Sequence, residues 1–214
     1  MQFRDRSEAG WLLAKRLLEY RDRPDTIVLG VPRGGVPVAY EVAQALHVPL
    51  DVIVVRKLGV PGQEELAFGA ISTGGVRVLN RQIVRNERLT DAEIEEIAAR
   101  ETRELERREA AFRAGRPVLD VRGQVVILID DGLATGASMR AAIRAVRRQQ
   151  PARIVIAVPL AAPDVRDEFS QLVDDFICLL TPDPFYAVGL WYKDFPQITD
   201  IEVRALLTPT PEPC

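Results

Sequence analysis

Two kinds of apolar segment alternate along the chain. Short runs of consecutive apolar residues, typical of buried strands, occupy residues 26–31, 50–57, 124–130, 152–161 and 173–180. Segments with apolar residues at helical spacing occupy residues 7–20, 36–46, 136–149 and 162–172. Alternation of strands and helices is typical of parallel strands joined by crossover helices. The pattern therefore predicts an α/β fold: an open, mainly parallel, twisted sheet with helices on both faces.

The middle of the chain departs from this alternation. The stretches "ELAFGAIS" and "VRVLN" flank "TGG", which predicts a hairpin that turns at Gly74–Gly75. Residues 90–113 predict a long helix, in which Thr90 and Glu93 match a capping box. Its apolar face is thin, so we expect a solvated helix lying over the domain, with a lid or a subunit contact as alternatives. We interpret residues 80–117 as a helical insertion.

The C-terminal part has no clear period between residues 181 and 207. It is rich in aromatic residues, and we interpret it as a hood over the sheet or as a dimer segment. The last residues, 208–214, are proline-rich, and we expect a disordered tail. Residues 1–207 would then form a single domain.

Composition narrows the class of protein. The chain has 214 residues, of which 47% are hydrophobic and 28% charged, as in soluble globular proteins. Its net charge of −3 gives no reason to expect nucleic-acid binding. No apolar run approaches the roughly 20 residues that span a bilayer, so no membrane partner is expected. Two distant cysteines and a charged N-terminus without a signal-peptide core predict a cytoplasmic protein.

The chain contains one histidine, His47. Serine–histidine or cysteine–histidine catalysis would have to use this residue, which lies where a predicted helix gives way to a strand. We expect it at the surface. The sequence also lacks the paired Cys/His spacing of a zinc site.

Unusual residues lie at or just after the ends of three of the predicted strands. Pro32–Gly35 follow the first, Arg56–Lys57 end the second, and Asp130–Gly132 end the third. In open parallel sheets, ligands bind beyond the carboxyl ends of the strands. Cations, flexible backbone and two carboxylates are therefore expected at one edge of the sheet.

The stretch "DGLATGAS" has the composition of an anion-binding turn. Its small residues let the backbone approach a ligand, and the helix that begins near Gly136 offers free N–H groups to a phosphate. It lacks both the G-K-[ST] of a Walker loop and the dinucleotide G-x-G-x-x-G. Asp130 and Asp131 would repel that phosphate, so they should face sugar hydroxyls or the water shell of Mg²⁺. A ribose 5-phosphate fits both requirements.

The stretch "VVILIDDGLATGAS" resembles the phosphoribosyl-pyrophosphate-binding motif of type I phosphoribosyltransferases. The motif is an apolar strand, two acids and a short loop ending in T-G-small-S/T, and the order of strands and helices resembles that family from about residue 7 to 180. The segments "RKLGVPGQEELAFGAI" and "FYAVGLWYKDFPQITDIEV" resemble a bacterial branch distinct from the adenine, hypoxanthine–guanine, orotate and uracil enzymes.

The resemblance implies a Mg²⁺-dependent transfer of the phosphoribosyl group to a nitrogen acceptor, with release of pyrophosphate. It implies that Asp130 and Asp131 bind the ribose hydroxyls. No direct protein ligand of Mg²⁺ is assigned, and contact of the two acids with the ion through water is left as an option. The 5-phosphate loop would be Ala134, Thr135, Gly136, Ala137 and Ser138. Pyrophosphate would be bound by Arg33, Gly34, Gly35, Arg56 and Lys57. The groups expected to carry catalysis are Asp130, Asp131, Lys57 and Arg33.

The acceptor is the least defined part of the prediction. Phe185, Tyr186 and Trp191 are candidates to stack a flat, nucleobase-like acceptor, but core packing or a dimer face would explain them equally well. We expect a homodimer. The alternative interpretation of Arg56 and Lys57 is that they are ordinary solvated charges at a strand end.

Other classes of protein remain open at this point. Acidic pairs at strand ends also occur in phosphoacceptor receiver domains, although those lack the T-G-A-S loop. A non-catalytic regulator could keep the binding site and sense phosphoribosyl pyrophosphate or a nucleotide. A third hypothesis is an interaction protein built around residues 90–113.

Overall fold

A computed structural model describes residues 2–113, 116 and 119–208. The strands of its larger sheet are β1 (Thr26–Gly30), β2 (Leu50–Val52), β6 (Val125–Ile129), β7 (Arg153–Leu160) and β8 (Asp175–Leu180). These five strands are all parallel and lie in the order β2–β1–β6–β7–β8. The predicted parallel sheet is confirmed.

Helices cover both faces of this sheet, also as predicted. On one face lie α1 (Arg6–Ala14) and α2 (Gly35–Leu46), and on the other lie α5 (Ala137–Arg148) and α6 (Pro163–Ser170). Side chains alternate along β6: Ile127 packs on the side of α1 and α2, and Leu128 packs on the side of α5 and α6. Both side chains are fully buried. The central strands are therefore continuous apolar runs in the sequence. The helix predicted over 7–20 is shorter: α1 ends at Ala14 and a 3-10 turn follows at Leu18–Tyr20.

A second sheet of three antiparallel strands lies beside the first. Its strands are β3 (Val55–Val60), β4 (Gln63–Ser72) and β5 (Val76–Leu79). The predicted hairpin is confirmed as β4–β5, and Gly74 and Gly75 both have positive φ angles, 81° and 72°. The single strand predicted over 50–57 is wrong, because β2 ends at Val52 and β3 belongs to the other sheet. Ile53 and Val54 are buried where the chain passes between the sheets, so the apolar run continues through the break.

The segment 80–117 contains α3 (Arg81–Asn86) and α4 (Asp91–Arg113). The capping box is confirmed: the Thr90 N–H donates to the Glu93 carboxylate, and the Glu93 N–H donates to the Thr90 hydroxyl. The narrow apolar face of α4, including Leu105 and Phe112, packs on the small sheet and on α7 (Asp200–Leu207). This packing fixes α4 over one end of the parallel sheet.

Residues 181–207 hold a 3-10 turn, Val188–Trp191, and the unpredicted helix α7. Only Val203 and Leu207 of α7 are buried, too few to give a periodic signal, but the capping box Thr199–Glu202 marks its start. Part of the predicted insertion, 114–115 and 117–118, lies outside the described residues, as do residues 209–214 of the predicted tail. None of the described helices is both long and apolar enough to cross a membrane.

Candidate active site

The two acids lie directly after β6, at the carboxyl end of the parallel sheet. The backbone N–H of Asp131 donates to the Asp130 carboxylate at 2.9 Å, which fixes the side chain of the first acid. The neighbouring strand β1 leads into residues 31–35, and the Val31 N–H donates to the Ile129 carbonyl at 2.8 Å. The ends of two adjacent strands therefore carry the acids and the Pro32–Gly35 segment side by side.

Gly34 and Gly35 contact the acids through their bare backbone. A Cβ atom on Gly34 would lie 2.0 Å from the Oδ2 atom of Asp131. A Cβ atom on Gly35 would lie 2.6 Å from the Ile129 carbonyl oxygen and 2.8 Å from the Asp130 Cα. Any side chain at either position would occupy space that the acids fill. The peptide between Pro32 and Arg33 is cis.

Arg6, which the sequence reasoning missed, is the buried counter-ion of Asp131. Its Nε donates to the Asp131 Oδ2 at 2.9 Å, and its Nη1 donates to the Pro196 carbonyl at 2.8 Å. The guanidinium carbon lies 3.8 Å from the centroid of the Phe195 ring. The Tyr192 hydroxyl donates to the Asp131 carbonyl at 2.6 Å. Helix α1 and the C-terminal segment thus enclose the second acid together.

Burial dominates the electrostatics of the acid pair. It raises the pKa of Asp130 well above its ordinary value, and the neighbouring Asp131 charge raises it further. Burial also raises the pKa of Asp131, but the Arg6 guanidinium opposes that shift. Burial and the nearby Asp131 carboxylate together raise the pKa of the Tyr192 hydroxyl. A ligand that brings hydroxyl donors or a cation would relieve this accumulation of buried negative charge.

Replacing Asp130 with asparagine is expected to stabilise the ligand-free protein. The pKa of Asp130 is raised in the folded state, so its ionisation destabilises the folded protein above the unfolded pKa of about 4. This destabilisation grows as the pH rises toward the folded pKa. The Asp130→Asn variant should gain about 1–2 kcal/mol at pH 7 and less at pH 4.5. Urea unfolding at both pH values measures the gain. Equal stability of the two proteins at pH 7 would contradict the prediction.

The predicted 5-phosphate loop connects the acids to α5. Ala134, Thr135 and Ser138 are exposed and Ala137 is partly so, whereas Gly136 is buried in a left-handed conformation with φ 67°. A Cβ on Gly136 would lie 2.5 Å from the Phe169 ring. Ala137 is the first residue of α5, so the free N–H groups and positive dipole end of that helix adjoin the loop. The arrangement suits an anion such as a phosphate monoester.

A cavity of about 230 Å³ joins the two predicted phosphate-binding segments. Pro32 and Arg33 line it from one segment, and Ser138 lines it from the other. Arg107, Arg108 and Phe112 of α4 also line it, as do Val31, Val54, Val55 and Asp200. The Arg33 Nη1 lies 3.6 Å from the Asp200 carboxylate. No local pattern in the sequence assigned residues of α4 to this region.

The structure does not place Arg56 and Lys57 at the end of a parallel strand, because both lie on β3. The Arg56 side chain is held by Glu101 of α4, with its Nε and Nη2 at 2.9 and 2.5 Å from the Glu101 Oε2. Lys57 is exposed and lines a different cavity, of about 220 Å³, together with Asn80, Ala137 and Arg144.

The three candidate acceptor residues lie in the segment before and within the 3-10 turn. Phe185 and Trp191 pack against a cluster that includes Phe3 and Tyr192. Tyr186 is 78% exposed. Core packing therefore accounts for two of the three, and Tyr186 is the one that is open to a ligand or another molecule.

Asp130 and Asp131 can supply only part of the coordination shell of a Mg²⁺ ion. Carboxylate oxygens are the donors Mg²⁺ prefers, and it is commonly held by one or two carboxylates together with substrate phosphates and water. Among the described residues, no group of three or more His, Cys, Asp and Glu side chains could hold a metal. Asp130 and Asp131 therefore fit a metal that is shared with a bound phosphate ligand.

Comparison with known proteins identifies the family. The model of the phosphoribosyl transferase domain matches residues 7–183. The chain belongs to the phosphoribosyltransferase family. The resemblance inferred from the acid-and-loop motif is thus confirmed at the level of the family.

Relatives of this chain extend the match over nearly its whole length. Two curated proteins from Mycobacterium tuberculosis strains, each named "Putative phosphoribosyl transferase", are 47% identical over 205 residues, which is 96% of this chain. The chain spans about half the length of these relatives, 46%. The crystal structure of TT1426 from Thermus thermophilus is 43% identical, with a TM-score of 0.86 over 97% of this chain and 98% of that one. The fold and its insertion therefore recur in an experimental structure.

Proposed function

We propose that this phosphoribosyltransferase transfers the 5-phosphoribosyl group from phosphoribosyl pyrophosphate to a small nitrogen acceptor of unidentified structure and releases pyrophosphate. One observation carries the proposal. The backbone of Gly34 contacts Asp131, and the backbone of Gly35 contacts Asp130, where neighbouring strands end. This adjacency supports a single ligand that would meet both the acids and the glycine segment.

The chemical groups of the proposed donor match different elements of the site according to their charge. The ribose hydroxyls donate to Asp130 and Asp131, which are acceptors when ionised. The 5-phosphate binds the loop 134–138 at the N-terminus of α5. The pyrophosphate lies against the backbone of Gly34 and Gly35 and the Arg33 side chain, beside the cavity that reaches Ser138. Asp130 and Asp131 would hold Mg²⁺ together with the donor, and the ion would supply neutralisation of the charge on the leaving group.

The proposed reaction breaks the bond between the anomeric carbon and pyrophosphate and forms one to the acceptor nitrogen. No protein nucleophile is needed, and the protein contributes positioning and stabilisation of the charge that develops on the leaving group. Arg6, which stacks on Phe195, and Tyr192 both donate hydrogen bonds to Asp131 and hold this acid in place, which favours a fixed ribose position. Of the three candidate acceptor residues, Tyr186 is the exposed one and is therefore the one to test as an acceptor contact.

Thermal unfolding with phosphoribosyl pyrophosphate and Mg²⁺ tests the donor half of the proposal. At a ligand concentration of about 100 times Kd, binding adds about 2.7 kcal/mol, which corresponds to a rise in Tm of about 5–10 °C for a domain of this size. The Asp130→Asn/Asp131→Asn variant should lose this rise. Asp167→Asn, which makes the same change at an exposed position on α6, should keep it. An equal rise in all three proteins would refute the assignment of the acids.

The transfer half requires a chemical readout. Pyrophosphate release is measured with a panel of nucleobases and amines, and release that depends on Asp131 supports the enzyme. Donor binding without release across the panel would favour a regulator that senses the ligand.

A further inference from the structure

Two of the cations that line the cavity between Arg33 and Ser138 come from the helical insertion. They are Arg107 and Arg108 of α4. Arg56, one of the two cations expected there, is engaged by Glu101, and Lys57, the other, lines a different cavity. The insertion therefore contributes positive charge that the sequence analysis had assigned to Arg56 and Lys57.

One carboxylate organises both arginines. The Glu104 carboxylate accepts from the Arg107 Nε and Nη2 at 2.8 and 2.9 Å and from the Arg108 Nε at 2.8 Å. Positions 104, 107 and 108 lie on one face of a helix, one turn apart. These hydrogen bonds lower the pKa of Glu104 to about 2, so this carboxylate stays ionised throughout the neutral range.

The position of the arginines is set by the packing of α4. Leu105 and Phe112 of the same helix are almost completely buried, at 2% and 3% exposure, and Phe112 itself lines the cavity. The arginine side chains are more open, at 63% and 41%, and among the described contacts both Nη groups of Arg108 and the Nη1 of Arg107 have no acceptor. A rigid helix thus presents unused guanidinium donors to the cavity. Guanidinium groups suit phosphate oxygens because their donors form a planar fork.

We propose that Arg107 and Arg108 bind the pyrophosphate group of the donor, with Glu104 as the residue that positions them. This inference rests on the proposed function, because it assumes phosphoribosyl pyrophosphate as the ligand. It extends the donor site from the ends of the parallel strands to the insertion helix. The ribose and 5-phosphate contacts would not involve these arginines.

Calorimetric titration separates the two halves of the ligand. Phosphoribosyl pyrophosphate, inorganic pyrophosphate and ribose 5-phosphate are titrated, each with Mg²⁺, into the wild-type protein and into Arg107→Gln, Arg108→Gln and the double variant. Each single change should weaken pyrophosphate and phosphoribosyl pyrophosphate binding about tenfold, the effect of losing one charged hydrogen bond. Ribose 5-phosphate should bind all four proteins within about twofold.

Arg103→Gln is the matched control, because it removes the same charge from an exposed position on the same helix. It should leave all three affinities unchanged. An Arg107→Lys/Arg108→Lys variant, which keeps the charge but lacks the fork, should bind pyrophosphate more weakly than wild type and more tightly than the glutamine pair. Should the glutamine pair fail to fold, the lysine pair carries the same comparison.

The outcomes separate this proposal from the one on which it rests. Wild-type affinity for pyrophosphate in the double variant would overturn the role of the arginines and leave the proposed function intact. An equal loss for ribose 5-phosphate and pyrophosphate would also overturn it, since the arginines would then act on the whole site. A wild-type protein that binds none of the three ligands would overturn both proposals.

Discussion

Replacing Arg6 with methionine is expected to lower the free energy of unfolding by about 3–5 kcal/mol at pH 7. Methionine keeps much of the volume but leaves the buried Asp131 carboxylate without its cation, beside a second acid. The pKa of Asp131 should then rise further, so the native state would bind more protons than the unfolded state. Stability of the variant should therefore fall as the pH rises above about 4 and recover in part at pH 5.

Urea unfolding of Arg6→Met at pH 5 and pH 7 measures this effect. Adding Asp131→Asn to Arg6→Met should restore most of the stability at pH 7, because the uncompensated charge is removed. Arg4→Met is the control: Arg4 pairs with Asp5 at the exposed start of α1, and its loss should change the stability far less than the loss of Arg6. A loss in Arg6→Met that is independent of pH and is not rescued by Asp131→Asn would mean that packing, not charge, explains it.

Replacing Gly35 with alanine is expected to destabilise the protein by about 3 kcal/mol and to abolish donor binding. The new Cβ would lie 2.6 Å from the Ile129 carbonyl oxygen and 2.8 Å from the Asp130 Cα. Both are backbone atoms at the end of β6, and Gly35 is the first residue of α2, so relief of the clash requires the start of α2 to move away from the end of β6. Chemical denaturation and the ligand-induced rise in Tm measure the two effects.

Gly34→Ala provides the comparison. There the Cβ would meet the Asp131 carboxylate, at 2.0 Å from Oδ2, and a side chain can rotate where backbone cannot. We expect Gly34→Ala to lose donor binding as fully as Gly35→Ala but to lose less stability. If Gly35→Ala binds phosphoribosyl pyrophosphate with wild-type affinity, the acids and the glycine segment do not act on one ligand.

The sequence was sufficient where a local pattern encodes the structure. Continuous apolar runs predicted the buried parallel strands, and spacing predicted the helices that cover them. The capping box at Thr90 located the start of α4. Because parallel strands carry their carboxyl ends to one edge, the acids and the Pro32–Gly35 segment were also predicted to meet.

Such local patterns could not predict contacts between residues that are far apart in the sequence. Arg6 and Asp131 are 125 positions apart, and nothing local separates Arg6 from the other arginines. Arg107 and Arg108 have the pattern of solvent-facing charges on an amphipathic helix, and only the packing of α4 brings them to the cavity. The strand predicted over 50–57 failed for a related reason, since the buried residues Ile53 and Val54 conceal the passage from one sheet to the other.

The contacts of Arg6 also constrain when the site can form during biosynthesis. Arg6 bridges Asp131 and Pro196, and the first and last of these residues are 190 positions apart. This bridge cannot close until nearly all of the described chain has left the ribosome. The parallel strands can pair earlier, so the growing chain carries its two acids hydrated. The enclosure of the Asp131 charge by Arg6 therefore requires the C-terminal segment to be present.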